Sequence, residues 1–518
     1  GGNVRRTWWV LSATALAFVL VPAPVGAAPA APPPTPQADC GPGSRPEPAA
    51  QGRAPLADYE TGRAQQGYTC NLEEIAHFGN KGGYKVHRYI DAAGRECAYY
   101  DSTLLFPTGV ADGTDLTGVY VLDMSDPANP VKTTNLMTPA MQSPHESLEL
   151  NQERGLLAAG MGYPTFNPGF VDIYDVNEDC RNPVLKSSTP LGVLGHESGF
   201  APDGNTFYVS STGGNTITAL DVTDPSLPKI LWVGREGTPH GMRVSADGNR
   251  LYIADISKGL VILDVTEIQA RAVDPQVTPV SALQWEEMSI PQVPLPVTIK
   301  GNPYLIEIDE FSRGPSAEAD APVGAGRIID ISDETKPQVV SHLRLEVNNP
   351  EQRAESMGDP GTSSFIQGYT GHYCSVPRTV DPEIVACTFV ASGLRIFDVR
   401  DPLQPKEIAY FNKPVGSTSN PNDHPSSYAM SASAFVPERN EIWYLDGNSG
   451  FYVLRFTNDV WPADTTSTDE GTGTSTGDAA GGRDELPASG GGSGLGVLAA
   501  GVLAAVVLLR PRHHRLRP

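Results

Sequence analysis

The chain has 518 residues, with 37 basic against 60 acidic side chains and a formal net charge of −23 at pH 7. That length suits one large domain or about two to three ordinary ones. An acidic surface of this size repels phosphate backbones, so nucleic acid is excluded as a partner class.

At the start of the chain, Arg5 and Arg6 precede an apolar run from Trp8 to Val21, and small residues follow at Val25-Gly26-Ala27-Ala28. A basic start, a short apolar core and an A-x-A-like site read as a secretory signal peptide over 1–27. The Arg-Arg-Thr-Trp-Trp stretch also fits the loose twin-arginine form, which leaves two export routes open. Residues 28–57 are Ala/Pro-rich and read as an extended linker. The folded unit is then 58–461. Six cysteines lie in or beside it, Cys40, Cys70, Cys97, Cys180, Cys374 and Cys387. An even count in an exported chain favours disulfides over metal thiolates. Cys374 and Cys387 flank one hairpin and are read as a bridge, while the pairing of the other four is left open.

The body repeats. Runs such as GVYVLDMSDP, GFVDIYDVNED, NTITALDVTDP, GLVILDVTE, GRIIDISDE and GLRIFDVRDP close at Asp123, Asp175, Asp221, Asp264, Asp330 and Asp398. Each is a β-branched, strand-length run ended by an Asp/Pro turn. A seventh, GFYVLRFTND, keeps the run and loses the turn. A hairpin precedes each run and a short strand follows it, so the unit is four strands at a period near a propeller blade's. The expected fold is all-β, a seven-bladed β-propeller with four-stranded blades. The seventh unit ends after its third strand. Residues 73–80, EEIAHFGN, resemble the outer strand KEIAYFNK of the sixth and are expected to close the last blade, which satisfies two open sheet edges. With GLVILDV, YVLDMSDP, ITALDVTDP and LRIFDVRDP, the body resembles the LVIVD-repeat family of exported bacterial proteins. That resemblance implies a β-propeller and no particular reaction.

Histidines recur at one place in the repeat. His145, His196, His240 and His372 all fall at the start of a first strand, the strand that lines a propeller's central channel. Imidazoles converging without thiolates suit a divalent transition metal, copper or zinc first among them. The competing readings are hydrogen bonding at a wet channel mouth and ligand contact without metal. Glu146 and Glu197 follow two of the histidines and, on a regular strand, point away from them. His87 in the first unit and His424 before the seventh lie outside the repeated slot and read as structural, and His77 and His342 as exposed on outer strands. The turns ADGTD at Ala111 and LDGNSG at Leu445 read as turns rather than calcium loops.

Long connections occupy 346–371, 412–427, 309–326 and 101–118. All lead into first strands or join second to third strands, so they share the face that carries the histidines. Extra chain on one face points to recognition of an extracellular ligand or protein.

Residues 462–485 form a polar stalk. Leu486, Pro487, Ser489 and Gly490 then stand before an apolar run and a basic tail, an order that resembles the sorting signals of Gram-positive surface proteins. The resemblance implies cleavage by a sortase and wall attachment, and Ser489 departs from the family's Thr. The alternative is retention by the 494–509 run, slightly short of the roughly 20 residues a spanning helix needs. Both place the body outside the cell. Two functions follow: a tethered binding module working through its decorated rim, or an exported metal-dependent oxidoreductase using the channel histidines.

Overall fold

The computed structural model describes residues 31–461, apart from 103–117, 163–168, 193–194, 212–213, 236, 313–320, 365 and 416–424. The signal, stalk and sorting segments, with Leu486, Pro487, Ser489 and Gly490, and His424, lie outside the described residues. Among those described, no helix is long and apolar enough to cross a membrane.

Seven antiparallel sheets make the seven blades of a β-propeller. Blades one to six run in chain order, each strand pairing with the next, from Val86–Ile90 in blade one to Lys406–Asn412 in blade six. Blade seven combines Ala434–Val436, Glu441–Asp446 and Gly450–Phe456 with an outer strand from the N-terminus, Leu72–Phe78. Its register, Leu72 opposite Phe456 and Phe78 opposite Phe451, is the closure expected from the repeat.

The repeat's residues have identifiable jobs. Each closing aspartate folds its side chain back onto the N–H two residues on, Asp123 to Ser125, Asp221 to Thr223, Asp264 to Thr266 and Asp398 to Arg400 among them, at 2.7–3.0 Å. The Asp of the following Asp-Pro does the same, as in Asp224 to Ser226 and Asp401 to Leu403. These Asx turns reverse the chain without a ladder partner. The glycine that opens a third strand is equally constrained. Gly259 has φ +80°, and a Cβ there would lie 2.2 Å from the Leu283 carbonyl oxygen. Only glycine combines that backbone with that approach.

One blade cannot bury both faces, and the molecule shows where the faces go. Every neighbouring pair of blades shares its own apolar cluster, for example Tyr208, Ile217 and Ala219 of blade three against Met242, Leu251 and Ile253 of blade four. The blade-seven-to-one interface is built the same way, from Trp443, Leu445 and Val453 against Val86, Ala98 and Tyr100. Ring closure therefore rests on packing as well as on the N-terminal strand.

The segment read as an extended linker is part of the body. Tyr68–Cys70 adds a fifth strand to blade six. The residues before it are stitched to that blade by the Cys40–Cys70 disulfide and by Gln51, whose amide donates to Glu407 at 2.8 Å. Proline removes N–H donors but leaves carbonyls, and the Pro36 carbonyl accepts from Glu407 N at 2.9 Å. The other bridges are Cys374–Cys387, across paired strands of blade six, and Cys97–Cys180, which ties blade one to the turn of blade two. Three disulfides fit a protein that works in an oxidising, extracellular setting.

Candidate metal centre

Four histidines from four blades meet on the axis. The rings of His145 and His196 lie 4.5 Å apart, and those of His196 and His240 lie 4.6 Å apart. His372 reaches the same space from blade six: its Nε2 is 3.2 Å from Glu146 Oε1, while His196 and His240 place theirs 3.1 and 3.7 Å from Glu146 Oε2. In blade one the equivalent position is Tyr84, stacked on His145 at 4.5 Å. His87 is one turn of the pleat deeper, with its Nε2 2.9 Å from the Leu148 carbonyl oxygen, outside the cluster.

Two carboxylates complete the group. Glu146 is 1% exposed and sits among the rings instead of turning away from them. The cause is local: His145 has φ +52°, so the backbone is not extended there and the strand alternation starts only afterwards. Gly162 packs directly behind it, where a Cβ would come within 2.1 Å of His145 Cβ. Glu197 follows a residue without that kink and does turn away. The second carboxylate, Glu310, was not among the sequence candidates. It ends the second strand of blade five, Asn302–Glu310, and lies 3.5 Å from His240 Nε2 and 3.0 Å from His372 Nε2. The sequence signal was available: blade five lacks the slot histidine and carries acidic residues at 307, 309 and 310 instead.

Hydrogen bonding fixes how these rings present themselves. His240 Nδ1 lies 2.8 Å from the Pro291 carbonyl oxygen, and His372 Nδ1 lies 2.8 Å from that of Met430. A carbonyl only accepts, so both Nδ1 atoms carry hydrogen. In a neutral imidazole the Nε2 lone pair then points inward, towards carboxylate oxygens that also only accept. Such an arrangement needs a cation in the middle, either a proton or a metal ion. Among the described residues, His145 Nδ1, Glu146 Oε2, His196 Nε2 and His372 Nε2 are buried and meet no hydrogen-bond partner of good geometry. Buried polar atoms are rarely left so.

The electrostatics agree. Burial works against a charged His372, but the Glu146 and Glu310 carboxylates beside its Nε2 outweigh it and lift its pKa to about 9. For His196, burial is likewise outweighed by Glu146, and the pKa is raised. Burial and then the neighbouring His196 push His145 down to about 3. Burial disfavours a charged Glu146, yet His145 and His196 hold its carboxyl well below the usual range. Without a metal, protons on some imidazoles supply the positive charge the carboxylates require.

Beside the cluster lies a buried ionic network. Lys85 pairs with Glu197 and, at 2.7 Å, with Glu149. Arg243 joins both, at 3.0 Å and 3.3 Å, and Tyr373 donates its hydroxyl to Glu197. Two cations balance two anions, so this network adds no net charge to the cluster beside it. Of the four histidines, His196 shows most surface, 19% of its side chain against 10% for His145 and 0% for His372. His196 is thus the member of the cluster nearest to solvent.

A family model described as the LVIVD repeat matches residues 240–267. No curated protein sequence matches the chain. Among solved structures, the chain is similar to a protein of Bacteroides uniformis ATCC 8492 provisionally named as a 6-phosphogluconolactonase, with 12% identity and a TM-score of 0.43 over 65% of this chain and 90% of that one. It is similar to a second, of Bacteroides fragilis NCTC 9343 and with the same provisional name, with 11% identity and a TM-score of 0.41 over 65% of this chain and 89% of that one.

Proposed function

We propose that the protein is an exported, surface-tethered propeller whose axial cluster of His145, Glu146, His196, His240, Glu310 and His372 holds a divalent transition metal, zinc or copper, and presents it to a ligand arriving on the loop-bearing face. The observation that carries this reading is the convergence of buried nitrogen and oxygen atoms without hydrogen-bond partners of good geometry, around imidazoles whose Nδ1–H groups are fixed by the Pro291 and Met430 carbonyls. A carbonyl partner on the far nitrogen is how ligating histidines are oriented. The Nε2 atoms of His196, His240 and His372 lie 3.0–3.7 Å from oxygens of Glu146 and Glu310. Bonds of about 2.0–2.2 Å to a common ion give edges of about that length.

The centre favours metal-dependent chemistry over passive recognition, because a recognition rim gains nothing from burying two carboxylates. Recognition without metal is the second reading, supported by the long connections that share the histidine face. Tethering rests on the order of stalk, Leu486-to-Gly490 pentad and basic tail.

The test is the metal content of the exported protein by elemental analysis, before and after chelation, with thermal unfolding recorded in parallel. Bound metal removed by the chelator, together with a lowered Tm, is expected, since an ion that binds only the native state stabilises it. Metal-free protein whose Tm ignores added zinc and copper would overturn the reading.

A further inference from the structure

The cluster offers more donors than one ion uses. Four imidazole nitrogens and the oxygens of Glu146 and Glu310 face the same space, while a first-row ion in a protein takes about four to six ligands. The donors fall into two groups. His145, Glu146 and His196 can place one ligand atom each within 4.8 Å of one another, and so can Glu146, His240 and Glu310. His372 Nε2 closes the second group, 3.0 Å from Glu310 Oε2. Glu146 alone belongs to both, and the shortest approach of each of its oxygens is to a different group: Oε2 to His196 at 3.1 Å, Oε1 to His372 at 3.2 Å.

Resting on the metal-centre reading above, we infer that the site holds two metal ions bridged by the Glu146 carboxylate, and that its substrate bears an oxyanion, such as a phosphate ester, able to span both. The two sites differ in kind. The ion held by His240, His372, Glu310 and Glu146 has four protein ligands and is coordinatively filled, as supporting ions are. The ion held by His145, His196 and Glu146 has three, which leaves a position open, as reactive ions do. That open site is the one next to His196, the most exposed of the histidines. Charge selects the ligand class. Two dications against two carboxylates leave an excess of two positive charges, and the network of Lys85, Arg243, Glu149 and Glu197 is neutral. An anion at the open side balances a buried excess of that size, and an oxyanion bridging two ions about 3.5–4 Å apart is what such pairs stabilise.

The experiment measures ions per chain in the full-length protein reconstituted with zinc, alongside metal–metal scattering by X-ray absorption and inorganic phosphate binding by calorimetry. Two ions per chain, a metal–metal distance of about 3.5–4 Å and phosphate binding that needs both ions are expected. His196→Ala, or His145→Gln should the first fail to fold, is expected to keep one ion, to lose the metal–metal signal and to weaken phosphate binding at least tenfold. A single ion per chain in the wild type overturns this inference and leaves the metal-centre reading standing, whereas no ion overturns both. Phosphate bound equally well by the metal-free protein, or by a variant retaining one ion, removes the oxyanion assignment.

Discussion

Arg395 has no exposed surface, and its guanidinium lies between Glu47 and Glu407, 3.2 Å from an oxygen of each. The group is far from water, and each member is held by hydrogen bonds as well as charge. Removing one member of such a set leaves the others buried and unpaired, which costs about 3–5 kcal/mol. Arg395→Ala is expected to lose that much in denaturant titrations, with the effect reduced when Glu47→Gln is combined with it. The same scale shows what sequence makes legible. The four slot histidines could be found because repetition places equivalent residues on one axis. The inward turn of Glu146 could not, because it follows from one backbone angle at His145. Glu310 was harder to see: it comes from a second strand, so the slot itself does not point to it, and only the acidic residues of a blade lacking the histidine mark it.

At the scale of the element, the N-terminal strap and the closing strand do different work. Leu72–Phe78 is the closing strand that the likeness of EEIAHFGN to KEIAYFNK already foretold. The strap before it was invisible, because Glu47 and Arg395 are 348 positions apart and nothing local marks them as partners. Composition misleads here: an Ala/Pro-rich stretch reads as a spacer, yet its few polar residues meet a complementary blade. The Cys40–Cys70 bridge closes a loop of 30 residues, which stabilises by about 3–4 kcal/mol in the chain-entropy account. Replacing both cysteines by serine is expected to lower Tm and to expose the strap to limited proteolysis first, while blade seven stays closed. Simultaneous cleavage in both regions would show that strap and closure are one cooperative unit.

For the molecule as a whole, the turn aspartates make acid the weak side. Hydrogen bonds from Thr266, Ser226 and Thr335 hold Asp264, Asp224 and Asp333 below the usual carboxylate range. A depressed carboxylate contributes stability that is present above about pH 4 and is lost as pH falls through the folded value. His342, expected to be exposed, is half-buried and adds an earlier step. Burial, then Arg327 and Arg344, push it down to about 4, so the unfolded chain takes up its proton first and stability declines from about pH 6.5 downward. Melting temperature against pH is expected to fall in two stages, and His342→Gln to diminish the upper one, which the depressed His145 shares, while leaving the lower in place. An unchanged upper stage in that variant would assign it to another group.

The last described residue, Trp461, packs against Phe435 and Phe456 and hydrogen-bonds Glu383 at 3.2 Å. Those partners belong to the ends of first and third strands and to the turn joining first and second strands, the rim where the Asx turns sit. The histidines open on the other rim. Trp461 therefore seals blades six and seven together on the rim opposite the cluster.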